Sequence, residues 1–172
     1  MDMKKETTTQ IAFTGLFMAM VIVLSLSFLS IPVPGGHLYL CDIIICLAAV
    51  LLNPFEAFIA CGVGSFLGDF FFYPAPMFVS LVTHGIQAVV ISLISQRTLK
   101  KKPVLASIIA VAVGAVIMVI GYTLGRAYVY STKEAAIVKL PYEIAQAVLG
   151  AVVGLILCWK GGIRKIYHKY AK

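Results

Sequence analysis

Charge is what this sequence has least of. Only 12% of its 172 residues are Asp, Glu, Lys or Arg, about half the share of an ordinary soluble domain. Together with 61% hydrophobic residues and a mean hydropathy of +1.00, that scarcity excludes a soluble globule. One soluble core of this length could not hide so much apolar surface. Cysteine lacks any metal or disulfide pattern. Cys41, Cys46, Cys61 and Cys158 form no C-x-x-C pair, and three lie within apolar runs, which argues against a zinc site or a disulfide framework. There is no G-x-x-x-x-G-K-[ST] phosphate loop, so the chain is not expected to hydrolyse ATP itself. Neither H-E-x-x-H nor G-x-S-x-G occurs, and Gly62-Val63-Gly64 does not continue as G-x-G-x-x-G. His37, His84 and His168 lie on three separate segments, so no catalytic centre and no metal are expected. No internal repeat or domain boundary is evident.

What remains is a succession of apolar runs, at 11–31, 42–52, 55–67, 77–95, 103–125 and 141–159. At 1.5 Å per residue, about 20 helical residues cross the hydrocarbon of a bilayer. The first run exceeds the apolar core of a signal peptide, about 7–15 residues, and no small-x-small cleavage site ends it. The second and third runs are short for a crossing; they are expected to extend into their flanking loops, tilt little or sit where the protein is locally thin, with a re-entrant helical hairpin as the competing reading. Ala60, Gly64 and Gly68, then Gly121 and Gly125, then Gly150 and Gly154 repeat at helical spacing. Such stripes let helices approach closely. Thr7, Thr8 or Thr9 is expected to cap the first helix, and Pro141 to fall in the first turn of the sixth. The pattern predicts an all-α integral membrane protein: one domain over 1–172, with six transmembrane helices in a compact bundle.

The net charge of +7 collects at the ends of the apolar runs, which speaks for membrane orientation and not for nucleic acid. With six crossings, Lys4, Lys5, Arg97, Lys100, Lys101 and Lys102 share one side with the basic tail (Arg164, Lys165, His168, Lys169 and Lys172). The positive-inside rule makes that side cytoplasmic, with both termini. Loops 32–41, 69–76 and 126–134 then lie together on the other side. They are the loops rich in proline, glycine and tyrosine.

Polar groups in apolar segments are costly, about 2.5–3.5 kcal/mol for a carboxylate at the bilayer centre, and therefore informative. Asp42 opens the second run and Asp69 follows the third. His84 and Gln87 share a face of the fourth, Tyr122 and Arg126 close the fifth, and Glu143 and Gln146 share a face of the sixth. His37, Tyr39, Tyr73 and Tyr130 come from the three loops. These residues, with Phe71 and Phe72, are expected to line one cavity suited to a small, flat, polar ring compound. Each also has a plain structural explanation, mutual pairing of buried charge, as between Arg126 and Glu143 or Asp69.

Two motifs then stand out: Pro-x-Pro-Gly-Gly-His-Leu-Tyr-Leu-Cys-Asp over 32–42 and Gly-x-Gly-Ser-x-Leu-Gly-Asp over 62–69. With the length and the six runs, they resemble the substrate-binding S components of energy-coupling factor (ECF) vitamin transporters. The resemblance spans nearly the whole chain, is strongest over 34–76, and is greatest to members of the hydroxymethylpyrimidine or pyridoxine type. It implies a non-enzymatic, multi-pass subunit of a bacterial cell membrane that captures a B vitamin or precursor from outside. It implies no cofactor. The implied partners are a transmembrane coupling protein (the T component) and two cytoplasmic ATPases, which hydrolyse the ATP. It further implies a ligand beneath the loops after helices one, three and five. Docking on the coupling protein would use small residues of the first helix, here Gly15-x-x-x-Ala19 with Ala12 one turn earlier, where the family usually has Ala-x-x-x-Ala. The alternatives are another vitamin (riboflavin, pantothenate, folate or thiamine) or a membrane enzyme acting on a lipid or prenyl substrate through Asp42, Asp69 and the histidines.

Overall fold

A computed structural model describes residues 2–26, 29–99 and 101–171, with backbone alone for 2–7. Lys100, Lys172 and the side chains of Lys4, Lys5 and Thr7, which entered the charge and capping arguments, lie outside the described residues. The chain forms helices α1 (Asp2–Leu24), α2 (Cys41–Leu51), α3 (Pro54–Phe72), α4 (Met77–Arg97), α5 (Pro103–Tyr130), α6 (Lys133–Trp159) and α7 (Ile163–Ala171). Of these, α3 to α6 are long and apolar enough to cross a membrane. The apolar part of α1, Thr8–Leu24, and the whole of α2 are shorter.

The bulk is all-α as the patterning predicts, with one addition. Strands β1 (Ile31–Val33) and β2 (Gly36–Leu38) pair antiparallel, with Ile31 opposite Leu38 and Val33 opposite Gly36. Gly35 and Gly36 take φ of +81° and +144°, which makes the turn available to glycine and strained for other residues. Strands of three residues containing proline leave no alternation to detect.

Helix ends differ from expectation where caps decide them. The first helix begins at Asp2, so Thr8 and Thr9 lie inside it rather than capping it, and it stops at Leu24 instead of running to 31. The last long helix starts at Lys133, because the Thr132 hydroxyl accepts from the Ala135 N–H at 3.3 Å. Pro141 is therefore inside α6, where it forgoes one backbone hydrogen bond, and is not in the first turn. Between α2 and α3, Asn53 and Glu56 form a reciprocal capping box with Pro54 at the first helical position.

Helix α2 is apolar all round and sits at the centre, packed against α1, α4 and α6. Around it, α3 packs on α1 and α4, α5 on α4 and α6, and the short α7 on α1 and α6. Successive long helices alternate in direction. Glycine sets the closest approaches. A methyl added at Gly114, Gly121 or Gly125 of α5 would meet Ile91, Thr83 or Val79 of α4 at 2.4–2.5 Å. On the outer faces of α5 and α6, large apolar residues such as Val116, Ile120, Val148, Val152 and Ile156 are exposed. An apolar outside around a partly polar inside is the arrangement of a membrane bundle.

The α2–α6 contact gives a direct test. A methyl at Gly150 would lie 2.6 Å from Asp42 Cβ and 3.0 Å from the Asp42 carbonyl carbon, whereas at Gly15 it meets nothing within 4 Å. Gly150→Ala is expected to destabilise by about 1–3 kcal/mol and Gly15→Ala to leave stability unchanged or slightly raised. Unfolding midpoints in detergent check this, and equal effects at both positions would contradict the packing.

Candidate functional site

At the hairpin end of the bundle helices α1 to α6 surround one cavity of about 230 Å³. Ser25 just after α1, Cys41 at the start of α2, Asp69 near the end of α3, His84 in α4, Tyr122 and Arg126 in α5, and Glu143 and Gln146 in α6 all face it. Gly35, Gly36, His37 and Tyr39 of the hairpin segment, with Tyr73 and Pro76 of the α3–α4 loop, complete the wall.

The hairpin is held there by charge. Arg126 donates to the Gly35 carbonyl at 3.0 Å and to Glu143 Oε1 at 3.2 Å. Lys139, wholly buried one turn before Glu143, donates its ammonium to the His37 carbonyl at 2.7 Å. Gln146 accepts from the Tyr39 N–H at 2.9 Å. Arg126 also lies over the Tyr130 ring, 5.2 Å from its centroid. It begins a π-helical turn, Arg126–Tyr130, that widens the end of α5 toward the cavity. Such turns recur at functional sites.

The predicted site residues fall into two layers. His37, Tyr39, Asp69, Tyr73, His84, Arg126, Tyr130, Glu143 and Gln146 line the cavity. Asp42 and Gln87 do not; both are buried behind the wall. Gln146 donates its amide to Asp42 Oδ2 at 2.6 Å, and Gln87 Oε1 lies 2.7 Å from His84 Nδ1. Phe71 and Phe72 point away from the cavity and are exposed, so the aromatic lining is tyrosine without them. Of the two pairings weighed for Arg126, the one with Glu143 forms.

Ser80, Ser65 and Lys139 were not singled out from the sequence. The Ser80 hydroxyl donates to Asp69 and also contacts the Tyr122 hydroxyl, tying three helices together beside the cavity. Ser80 stands four residues before His84 and Lys139 four before Glu143, on the same helical faces, so spacing could have found both. Ser65 lies in the Gly-x-Gly-Ser motif and faces the cavity.

A second cavity, about 250 Å³, lies at the opposite end among Val50, Leu51, Ser95, Gln96, Pro103, Ser107, Arg164 and His168. Ser95, Gln96 and Ser107 already donate to Ser92, Leu52 and Pro103 carbonyls. The hairpin-end cavity is therefore the better candidate for a polar guest.

Comparison with known proteins bears on both geometry and class. The family model for the ECF-type riboflavin transporter S component matches residues 5–163. The chain belongs to that family. It is thus an S component of an ECF transporter, a multi-pass membrane protein in a transporter family and not in an enzyme family. The S component is also similar to a Pyrococcus woesei protein described as "Uncharacterized protein in gap 3'region". The two are 34% identical over 141 residues, covering 81% of this chain and 88% of the relative.

Arg126 carries the hairpin attachment of this S component. Arg126→Ala is expected to speed hydrogen exchange at backbone amides 36–39 by about tenfold or more, the equivalent of losing one charge-assisted hydrogen bond. Mass-resolved exchange measures it, and unchanged rates would show that Arg126 does not tether the hairpin.

Proposed function

We propose that this S component captures a small ring-containing vitamin or precursor, of the hydroxymethylpyrimidine or pyridoxine type, in the hairpin-end cavity. The observation that carries the reading is the convergence of six helix ends and the hairpin on one hollow lined by tyrosines, two carboxylates, two imidazoles and a guanidinium. Tyrosine faces stack on a flat ring. Asp69 and Glu143 accept from ring amino or hydroxyl groups. The Ser65 hydroxyl, buried on the wall and without a hydrogen-bond partner among the described residues, gives one more polar contact to a guest.

Size favours a single ring. Small-molecule pockets run from about 300 to 1,000 Å³, and 230 Å³ lies below that range. The second reading is a riboflavin-type ligand, favoured by the description of the matching family. It would require the hairpin to lift and the cavity to enlarge.

The bundle is proposed to make six crossings, with α1 and α2 completing the four longer spans. The hairpin end faces outward. Arg97, Lys101, Lys102, Arg164, Lys165 and Lys169 mark the cytoplasmic end, with both termini. ATP is hydrolysed by two cytoplasmic ATPase partners joined through a T component. Ala12, Gly15 and Ala19 are exposed along α1, and the space beside Gly15 is open, as a docking face for the T component requires.

Calorimetry of the purified chain against B vitamins and their precursors tests the ligand. The expected result is one site with Kd of about 1 μM or tighter for a pyrimidine or pyridine compound. Asp69→Asn, nearly isosteric, should weaken it about tenfold. Failure of every compound to bind more tightly than about 1 mM would overturn the reading, and tight binding of riboflavin alone would select the second one. Gly15→Leu should block co-purification with the T component and leave ligand affinity intact; assembly at the wild-type level would remove α1 from the docking face.

A further inference from the structure

Behind the ligand cavity one buried oxygen lacks a hydrogen-bond partner among the described residues. Asp42 is 1% exposed, and its Oδ2 accepts from Gln146. Its Oδ1 has no hydrogen-bond partner among the described residues. A carboxylate oxygen left bare in an apolar bundle is costly. Two metal-ligating groups are its neighbours. Cys41 Sγ, a carboxylate oxygen of Asp42 and a ring nitrogen of His84 all lie within 4.8 Å of one another, each on a buried residue. His84 Nδ1 is 3.9 Å from Asp42 Oδ1.

From this cluster we infer that Cys41, Asp42 and His84 form a binding site for a divalent transition metal, zinc by the donor set, with one coordination position open to the ligand cavity. Zinc takes sulfur at about 2.3 Å and nitrogen and oxygen at about 2.0–2.2 Å, and three protein donors leave a fourth position for water or a guest. Closing the cluster around one ion requires the donors, now within 4.8 Å of one another, to draw together to those bond lengths. The surroundings fit this use. Cys41 and His84 both face the cavity. Gln87 Oε1 sits on His84 Nδ1 and accepts its proton, so Nε2 is the nitrogen left to bind an ion, and the ring must turn to bring Nε2 toward Asp42 in place of the Nδ1 that now faces it. Gln146 holds Asp42 by a hydrogen bond as well. Binding would release the Cys41 thiol proton to solvent, and the thiolate and carboxylate would balance the charge of the ion. A trapped water would satisfy Oδ1 as well, but it would have no need of the sulfur.

No ligand spacing announces the cluster, since His84 is 42 residues from Asp42.

Cobalt(II) added alone to the purified full chain in detergent is the probe, and zinc(II) the competitor. The expected result is one Co²⁺ per chain with a thiolate-to-cobalt absorption band, bleached by Zn²⁺. Cys41→Ser should lose the band, His84→Ala should weaken binding at least tenfold, and Cys46→Ser should behave as wild type. Asp42→Asn should weaken it too. If that variant does not fold, Cys41→Ser, checked by its elution volume, decides. No band in the folded wild type, or the same band in Cys41→Ser, would overturn the inference. No vitamin is present, so failure here leaves the proposed ligand untouched, and failure of vitamin binding leaves the metal site standing.

Discussion

Arg126 and Lys139 enter an apolar bundle as cations and must find partners there. Glu143 and the carbonyls of Gly35 and His37 are those partners. Isolated charge in such surroundings costs far more than a surface ion pair returns. The hairpin is thus more than a connection between α1 and α2. Its carbonyls complete the hydrogen bonding of two cations, Lys139 buried and Arg126 partly so, and in doing so it becomes one wall of the cavity. Everything else at this end depends on that exchange: Tyr39 is positioned through Gln146, Gln146 orients Asp42, and the α5 terminus unwinds into a wider turn to bring Arg126 over the hairpin.

The remainder of the fold supplies the rigidity. A short central helix, α2, places Cys41 at the floor of the cavity and Asp42 just behind it because it begins only after the hairpin has occupied the outermost layer. Glycines at the α4–α5 and α2–α6 contacts bring backbones close enough for side chains of different helices to share hydrogen bonds. The Asp69–Ser80–Tyr122 and Asp42–Gln146–Tyr39 links are the result. A layer that faces the guest is backed by a layer that holds it, which is how a polar site keeps its shape inside hydrocarbon.

Much of this was legible in the sequence, for physical reasons. Polar residues are rare in apolar helices, so His84, Glu143 and Gln146 announced themselves, and alternating helix directions brought their ends together. The small-residue stripes were equally plain. Other features depend on competition that spacing alone does not show. Thr132 wins the capping of α6 and carries Pro141 into the helix. Phe71 and Phe72 could have turned either way at the end of α3; they turn outward, where their rings add apolar surface. Asp42 and Gln87 were expected on the cavity wall but lie one layer deeper, bonded to Gln146 and His84, which do line it. The hairpin left no periodic trace, and no spacing links Lys139 to the His37 carbonyl 102 residues away.

If the polar helix ends exist to hold a water-soluble guest, the most direct evidence is what the protein carries when it is purified. Mass spectrometry of small molecules released from the wild type and from a Tyr130→Ala, Glu143→Gln double variant makes the comparison. The account predicts a single-ring heterocycle approaching one per chain in the wild type and strongly depleted in the variant. A prenyl or acyl lipid as the retained molecule, or the same compounds in equal amounts from both preparations, would contradict it.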